Sequence, residues 1–471
     1  MSLFAQAHSG KARFHVIIDT DGAADDLRAI CMLLSNREVE VLAVITSEGA
    51  LTPDVSTLKI NALLRHFHHE GIPVGTGRSL GIPAPAWRRQ SESISWGDTA
   101  RLCFSRKDAK ALIVQTIEEE EEKVIFLCLG TLTNLNDALT AKPQLKERID
   151  RVIWYNSSAK PLKGANYNAD PKSATAVLNS GLTVDIVSSN EKMPISIDAQ
   201  YLHTMEGIEG TYAHRITATH GSNVLKPVVA SAHMKAWDDL TVVYLFAPEL
   251  FNATTVSAGV TAHVLSDAQA LEQAKQTIVQ VLTGKPDSEN RVFFAFPEDV
   301  SLYAADVASV AKDIIAKHGH SEWRAGVLAN ELHGHLGIYA IVGVKMGIRA
   351  REYFNIGVDD VVAVSYAGSH PPVSCMNDGL QVSTGATTGH GLLTVAQEQN
   401  IRPEATFTFK GKIIRMRLKQ EYAQQIRRDV QEGIRQHGDL TEAYWQYIRQ
   451  LAIRYWQEFD RHEIFDFFSE K

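Results

Sequence analysis

The sequence has few cysteines, no excess of positive charge and no long apolar run. Its 471 residues include four cysteines, and none of them belongs to a CxxC pair: Cys31, Cys103, Cys128 and Cys375. This excludes a disulfide framework but leaves the redox compartment open. The formal net charge is −8, so we expect neither a nucleic acid nor an anionic membrane as partner. The longest apolar runs, such as 124–129, are far shorter than the roughly 20 residues that span a bilayer.

The first residues resemble the end of an export signal. The stretch LFAQA places Ala5, Gln6 and Ala7 in the small-residue pattern at which signal peptides are cleaved. We therefore expect an exported or periplasmic protein. The alternative is a cytoplasmic protein with an irregular N-terminus.

Apolar runs rich in Val and Ile alternate with helical patterns in the first part of the chain. The runs lie at 14–19, 39–46, 124–130, 151–155 and 183–188, and helical patterns include 25–35 and 54–69. This alternation predicts an α/β fold with a mostly parallel sheet covered by helices. Functional loops should lie at the carboxyl ends of the strands. The glutamate run 118–122 is predicted to be a solvated helix surface without chemistry.

A different pattern begins at about residue 321. A helix pattern containing 329–354 is followed by a short strand at 361–366 and a loop through 375–391. The final pattern, 440–459, has one apolar helix face formed by Leu440, Tyr444, Ile448, Leu451, Tyr455 and Phe459. The aromatic end 464–471 is expected to dock on a core, with a partner surface as the alternative. We predict a first domain at 13–318 and a smaller α+β domain with C-terminal helices at 319–471.

An acidic loop, residues 19–26, follows the first predicted strand. It contains Asp19, Asp21, Asp25 and Asp26. A helix N-terminus favours negative charge and accounts for one or two of these acids. Four carboxylates so close together are best explained by a cation. Ca²⁺ is the first choice because it takes six to eight oxygen ligands, and Mg²⁺ is the second.

Four stretches resemble the inosine-uridine-preferring nucleoside hydrolases. They are IIDTDGAADDLRAI at the acidic loop, GTLTNLNDAL at 130–139, NYNADPKSA at 166–174 and WDDLTVVYLFAPEL at 237–250. They stand in the order of that family and span roughly residues 13–251. The resemblance implies a calcium-dependent hydrolase that breaks the N-glycosidic bond of a nucleoside or another riboside.

The resemblance also implies roles for particular residues. The calcium ligands would be Asp21, Asp26, the main-chain carbonyl of Thr133 and Asp238. Asp25 would contact a ribose hydroxyl, and Asp21 would be the catalytic base that deprotonates water. This agrees with general chemistry, because a cation lowers the pKa of bound water and a carboxylate can take the proton. Asp19 is expected to be a structural brace.

Three positions depart from the family pattern. Ala50 replaces an asparagine that contacts the sugar, and Asn166 replaces an acidic residue, while Asn168 is retained. Trp237 stands where a histidine often helps to protonate a purine. It would either fill space in a core or stack on a flat leaving group. Asp25, Asn166, Asn168 and Trp237 are therefore the predicted substrate-binding residues, and the leaving group stays open.

Two stretches of the second domain resemble the FmdE family of formylmethanofuran dehydrogenase proteins. They are HGHLGIYAIVGVKMG at 333–347 and CMNDGLQVSTGATTGHG at 375–391. Gly337 and Ala386 stand where that family has cysteines. The resemblance implies a metal site of His333, His335 and Cys375, which suits zinc or another transition metal. The alternative is that these are ordinary polar and buried side chains.

Two hypotheses follow from the sequence. In the first, the protein is a calcium-dependent N-ribosyl hydrolase with a small riboside as substrate, fused to a metal-binding domain. In the second, the first domain binds a riboside or polyol without catalysis, and the second domain has a metal-linked function. Ala50, Asn166 and Trp237 support the second hypothesis. Homo-oligomers are expected from the family, although the added domain would cover or replace their contacts.

Overall fold

The computed structural model describes residues 12–100, 102, 104–189, 194–208, 210–284, 292–293 and 295–470. The chain forms two compact units, which contain the described residues up to 284 and those from 292 onward. The predicted boundary between 318 and 319 stays a prediction. The cleavage-like pattern Ala5-Gln6-Ala7 and Cys103 lie outside the described residues.

The first unit alternates strands and helices. Its strands are β1 (Phe14–Thr20), β2 (Val39–Thr46), β3 (Val74–Thr76), β4 (Lys107–Asp108), β5 (Val124–Cys128), β6 (Ile149–Tyr155), β7 (Ser158–Ala159), β8 (Leu162–Lys163), β9 (Val184–Val187), β10 (Phe251–Ser257) and β11 (Val260–Leu265). Its helices are α1 (Ala24–Ser35), α2 (Pro53–His66), α3 (Arg88–Ser93), α4 (Ala109–Glu119), α5 (Thr133–Ala141), α6 (Ala165–Ala169), α7 (Pro171–Leu178), α8 (Ala199–Glu206), α9 (Thr211–His220), α10 (Lys226–Ala230), α11 (Asp239–Phe246) and α12 (Ala268–Thr283).

Over the described residues, nine of these strands form one sheet in the order β10-β11-β9-β6-β5-β1-β2-β3-β4. All neighbours are parallel except the edge pair of β10 and β11. Val16 and Ile18 belong to one apolar core and Ile17 belongs to another, as expected for a strand with helices on both faces. The predicted α/β class is confirmed, and the acidic loop lies at the carboxyl end of β1.

The second unit contains helices and a smaller sheet. Its helices are α13 (Ala305–Ala308), α14 (Ala311–His318), α15 (His320–His333), α16 (Ile338–Phe354), α17 (Met376–Thr384), α18 (Gln420–His437) and α19 (Glu442–Glu458). Its strands are β12 (Val362–Ser365), β13 (Leu393–Val395), β14 (Glu404–Phe409), β15 (Lys412–Leu418) and β16 (Phe465–Glu470). They form a sheet in the order β13-β12-β14-β15-β16, mostly antiparallel, so the α+β prediction is confirmed.

Details of the second unit differ from the sequence pattern. The helix predicted over 329–354 is two helices, because Gly334 ends α15 in the left-handed region with φ +79°. Leu440 is 65% exposed and precedes α19, so its assignment to the apolar helix face is wrong. The aromatic end docks as predicted, with Ile464 and Phe465 buried in the core of this unit.

The glutamate run also differs from its prediction. Helix α4 ends at Glu119, and Glu120 after it is only 5% exposed. The prediction of a fully solvated surface is therefore wrong at Glu120. Among the described residues, no helix is long and apolar enough to cross a bilayer.

Candidate active site

The acidic loop turns from β1 into α1 and buries most of its carboxylates. Asp19 is the sixth residue of β1, Asp21 follows the strand, and Asp25 and Asp26 occupy the first turn of α1. Asp26 Oδ1 accepts hydrogen bonds from Thr20 Oγ1 at 2.6 Å and from the Asp21 main-chain N–H at 3.0 Å. These donors fix the orientation of Asp26 before any ligand binds.

Asp21 is held by a neighbouring loop. Its Oδ2 accepts from the Ala50 N–H at 3.0 Å, and its Oδ1 accepts from the Ala23 N–H at 3.3 Å. A Cβ at Gly49 would lie 2.0 Å from Asp21 Oδ2, so only glycine permits this approach. Ala50, which lacks the predicted sugar-contacting side chain, thus contributes its main chain to Asp21.

Asp238 joins the loop from a distant part of the sequence. Carboxylate oxygens of Asp25, Asp26 and Asp238 lie within 4.8 Å of one another. Asp238 is 3% exposed, and its buried Oδ1 makes no hydrogen bond. An orphaned carboxylate oxygen beside two other carboxylates fits a cation, because burial without a partner is costly. Asp21 is not a member of this closest group.

A buried ion pair brings Asp238 to the loop. Arg28 of α1 donates to both carboxylate oxygens of Asp239, from Nε at 3.1 Å and from Nη2 at 2.8 Å. Arg28 also donates to the Lys235 carbonyl at 2.8 Å. The pair fastens α11 to α1 and so places Asp238 beside Asp25 and Asp26. Sequence reasoning missed Arg28, although LRAI follows the aspartates directly.

Burial makes the negative charges of this site costly. It raises the pKa of Asp21 to about 6 and the pKa of Asp19 to about 8. Burial also raises the pKa of Asp26 and of Asp238 well above the usual range, and each carboxylate near them adds to the effect. The pKa of Asp25 rises for the same reason, against the lowering effect of Arg28. A bound cation would relieve this repulsion.

Asp19 and Thr133 connect the loop to helix α5. Asp19 Oδ2 accepts from Asn134 Nδ2 at 3.0 Å, and the same nitrogen donates to the Thr46 carbonyl at 3.1 Å. Thr133 is buried in the first turn of α5, and its Oγ1 donates to Asp170 Oδ2 at 2.7 Å. The calcium role of the Thr133 carbonyl stays a prediction.

The predicted substrate-binding residues differ in their surroundings. The Asn166 amide nitrogen donates to the Leu129 carbonyl at 2.7 Å and to the Tyr155 carbonyl at 3.1 Å, so the main chain already uses its donors. Asn168 is exposed. Trp237 is 42% exposed, so it does not fill a core. Contact of these residues with a substrate stays a prediction.

Glu48 and Arg88 support the loop that holds Asp21, and sequence reasoning missed both. Glu48 is 3% exposed and accepts hydrogen bonds from Ser79 Oγ at 2.8 Å, the Gly81 N–H at 3.1 Å and the Leu80 N–H. Arg88 donates to the Gly49 carbonyl at 2.8 Å and the Ala50 carbonyl at 3.2 Å. The partners of Glu48 lie more than 30 residues away, so no local pattern indicates them.

The second unit orients one of its two predicted histidines. His333 Nδ1 hydrogen-bonds to Asp378 Oδ2 at 2.7 Å, while the buried Nε2 has no hydrogen-bond partner. The rings of His333 and His335 are 4.2 Å apart between centroids. Cys375 is a half-buried free thiol, and burial raises its pKa. Within the described residues, His333, His335 and Cys375 are not among the groups whose ligand atoms all lie within 4.8 Å.

Comparison with known families agrees with both sequence resemblances. The model of the inosine-uridine preferring nucleoside hydrolases matches residues 16–296. The model described as FmdE, molybdenum formylmethanofuran dehydrogenase operon, matches residues 332–466. The two resemblances predicted from motifs are therefore confirmed.

Individual relatives are distant but cover nearly their full length. A non-specific ribonucleoside hydrolase of Klebsiella pneumoniae is 24% identical over 317 residues, which are 64% of this chain and 99% of the relative. A pyrimidine-specific ribonucleoside hydrolase of Shewanella oneidensis is 24% identical over 59% of this chain and 91% of its own. A solved plant nucleoside hydrolase is 21% identical, covers 57% of this chain and 99% of that chain, and has a TM-score of 0.47.

Proposed function

Because the chain belongs to the inosine-uridine preferring nucleoside hydrolase family, we propose that its first unit hydrolyses the N-glycosidic bond of a ribonucleoside or related riboside with bound calcium. The observation that carries this proposal is the group formed by Asp25, Asp26 and Asp238, with the orphaned Oδ1 of Asp238 among them. Carboxylate oxygens are the ligands that Ca²⁺ prefers.

The residues divide the work as follows. Asp21, Asp26 and Asp238, with the Thr133 carbonyl, would hold the ion. Asp25 belongs to the closest group and would contact a ribose hydroxyl beside the ion. When bound, calcium supplies positive charge that holds the sugar and lowers the pKa of a neighbouring water molecule.

Asp21 would act as the base. It takes a proton from the attacking water, whose oxygen forms a bond to the anomeric carbon while the leaving base keeps the electron pair of the broken bond. Burial raises the pKa of Asp21 to about 6, which suits a group that must accept a proton near neutral pH. The other carboxylates stabilise the positive charge that develops on the sugar.

The leaving group would be set by the opposite wall of the site. Trp237 is exposed and offers a flat face on which a base can stack. Its indole N–H is not an acid at neutral pH, so we propose a base that leaves without a proton from this position.

Substitution of Asp21 by Asn tests the mechanism. The variant keeps the size of the side chain but cannot act as a base, so we expect release of reducing sugar from ribosides to stop. In a chelator its thermal midpoint should equal or exceed that of the wild type, because a costly buried charge is removed. Asp54→Asn is the matched control, since Asp54 is an exposed aspartate of the same unit.

The outcomes of this test separate the two hypotheses. Turnover retained by Asp21→Asn would contradict the assigned mechanism. If a riboside raises the thermal midpoint of the wild type but no sugar is ever released, the non-catalytic binding function is correct.

We also propose that the second unit binds a metal ion through His333, His335 and Cys375. A histidine whose Nδ1 bonds to a carboxylate is oriented for metal binding through Nε2, and His333 has this arrangement with Asp378. His333→Ala should lower the content of zinc or another transition metal, whereas His390→Ala, at an exposed histidine of the same unit, should not. Equal metal content would contradict the proposal.

A further inference from the structure

A second cluster of ionisable side chains lies at the amino-terminal edge of the large sheet. His15 is the second residue of β1, and Glu40 of β2 lies directly opposite it. Glu120 joins them from the end of α4. We call these three residues the amino-edge cluster. Six residues of extended chain separate His15 from Asp21, or about 20 Å, so the cluster is distinct from the acidic loop.

The distances within the cluster are those expected around a metal ion. His15 Nδ1 lies 3.6 Å from Glu40 Oε2 and 3.4 Å from Glu120 Oε1. These separations are too long for good hydrogen bonds. Ligand atoms at 2.0–2.1 Å from a tetrahedral zinc ion are about 3.3 Å from one another. One ligand atom from each residue lies within 4.8 Å of the other two.

The ring of His15 is oriented to present a lone pair to the cluster. His15 is 6% exposed, and its Nε2 lies 3.0 Å from the Ala12 carbonyl. A carbonyl can only accept, so Nε2 carries the hydrogen. Nδ1 is buried and has no hydrogen-bond partner. A neutral ring would therefore point a lone pair at two carboxylates, an arrangement that requires a cation between them.

The main chain holds Glu120 in place. Its Oε1 accepts from the N–H of Glu121 at 3.0 Å and from the N–H of Glu122 at 3.2 Å. The guanidinium of Arg148 donates to the Glu120 main-chain carbonyl. Such outer contacts orient metal ligands in other proteins. They also explain why this glutamate leaves the solvated run to which its neighbours belong.

We propose that His15, Glu40 and Glu120 bind a zinc ion. One imidazole nitrogen with two carboxylates is a donor set that suits zinc, and three protein ligands leave a position for water. The ion would join the amino ends of β1 and β2 to the segment that leads into β5. Its role would be structural, because the cluster lies at the opposite end of β1 from the acidic loop.

Zinc content of matched variants tests the proposal. Full-length protein is stripped with a chelator, dialysed against limiting zinc in excess calcium, and analysed for zinc by mass spectrometry. Wild type and Glu38→Gln should each hold one more zinc ion per chain than His15→Gln or Glu40→Gln. Glu38 is the control because it lies near the cluster and pairs with Arg13 at 3.7 Å. Zinc should raise the thermal midpoint of the first two proteins by more than that of the others.

Equal zinc content in all four proteins would overturn the proposal. That result is also expected if a proton on His15, rather than a metal ion, separates the two carboxylates. If the variants do not fold, crystals of the wild type grown with zinc decide. An anomalous peak at the zinc edge about 2.1 Å from His15 Nδ1 is expected, and its absence would overturn the proposal.

Discussion

At the scale of single residues, identical side chains of the acidic loop have different surroundings. Asp19 faces the Asn134 amide, Asp21 accepts main-chain N–H groups, and Asp26 accepts from Thr20. Asp238 has an oxygen without a partner. The difference matters for function, because oxygens already satisfied by the protein hold the loop together, and the unsatisfied oxygen points to a ligand.

His220 predicts how stability depends on pH. Burial, and then the charge of Arg28, lower the pKa of His220 to about 3. In the unfolded chain the pKa is about 6.5, so the folded state keeps a neutral ring that the unfolded state protonates. The contribution of His220 to stability is complete above about pH 6.5. It is lost as pH falls toward 3, by up to about 1.4 kcal/mol per pH unit.

Replacement of His220 by Gln isolates this effect. Gln keeps an acceptor for Arg28 but cannot titrate. Between pH 6.5 and 4, the free energy of unfolding of the wild type should fall more steeply than that of His220→Gln, by about one proton's worth of slope. Denaturation in a chelator measures both, with His203→Gln as the exposed control. Parallel pH profiles would show that His220 is not the group responsible.

At the scale of helices and strands, the ion pair of Arg28 and Asp239 fastens α1 to α11. Both side chains are buried. Asp239→Asn leaves the guanidinium without its partner charge, so we expect a loss of about 3–5 kcal/mol in the free energy of unfolding. The exposed pair of Glu272 and Lys275 on α12 is the control, and Glu272→Gln should cost less than about 1 kcal/mol. Similar losses in the two variants, measured by urea denaturation, would contradict this role.

Helices α16 and α17 of the second unit pack through glycine. A Cβ at Gly343 would lie 2.1 Å from the Met376 carbonyl oxygen, which is main chain and cannot rotate away. Gly343→Ala should therefore destabilise the protein by about 1–3 kcal/mol, although alanine is the better helix former. Gly389→Ala is the control, because the nearest atom to a Cβ there is 3.7 Å away. A stabilised Gly343→Ala variant, measured by circular dichroism during denaturation, would show that this contact is not limiting.

Sequence patterns predict the local features and miss the long-range ones. The parallel strands, the helix after the acidic loop and the grouping of aspartates follow from apolar periodicity and motif spacing. Burial of Glu120 depends on Arg148 and His15, and the position of Asp238 depends on Arg28. The donors of Asn166 are used by carbonyls of two other segments. Partners so distant along the chain leave no periodic signal.

At the scale of the whole molecule, two units carry two different chemistries. The first unit has a carboxylate site at the carboxyl edge of its sheet and the amino-edge cluster at the other. The second unit has an oriented histidine beside a free thiol. We therefore expect calcium to affect riboside chemistry alone. Removal of transition metals by a selective chelator, with calcium in excess, should leave riboside hydrolysis unchanged.

Calcium-dependent release of sugar from ribosides tests the central claim most directly. The full chain is incubated with purine and pyrimidine ribonucleosides in calcium, in a calcium chelator, and in the chelator followed by excess calcium, and reducing sugar is measured. We predict release from at least one nucleoside in calcium, none in the chelator, and recovery when calcium is restored. Release that continues unchanged in the chelator, with the same protein and substrate, would contradict the account.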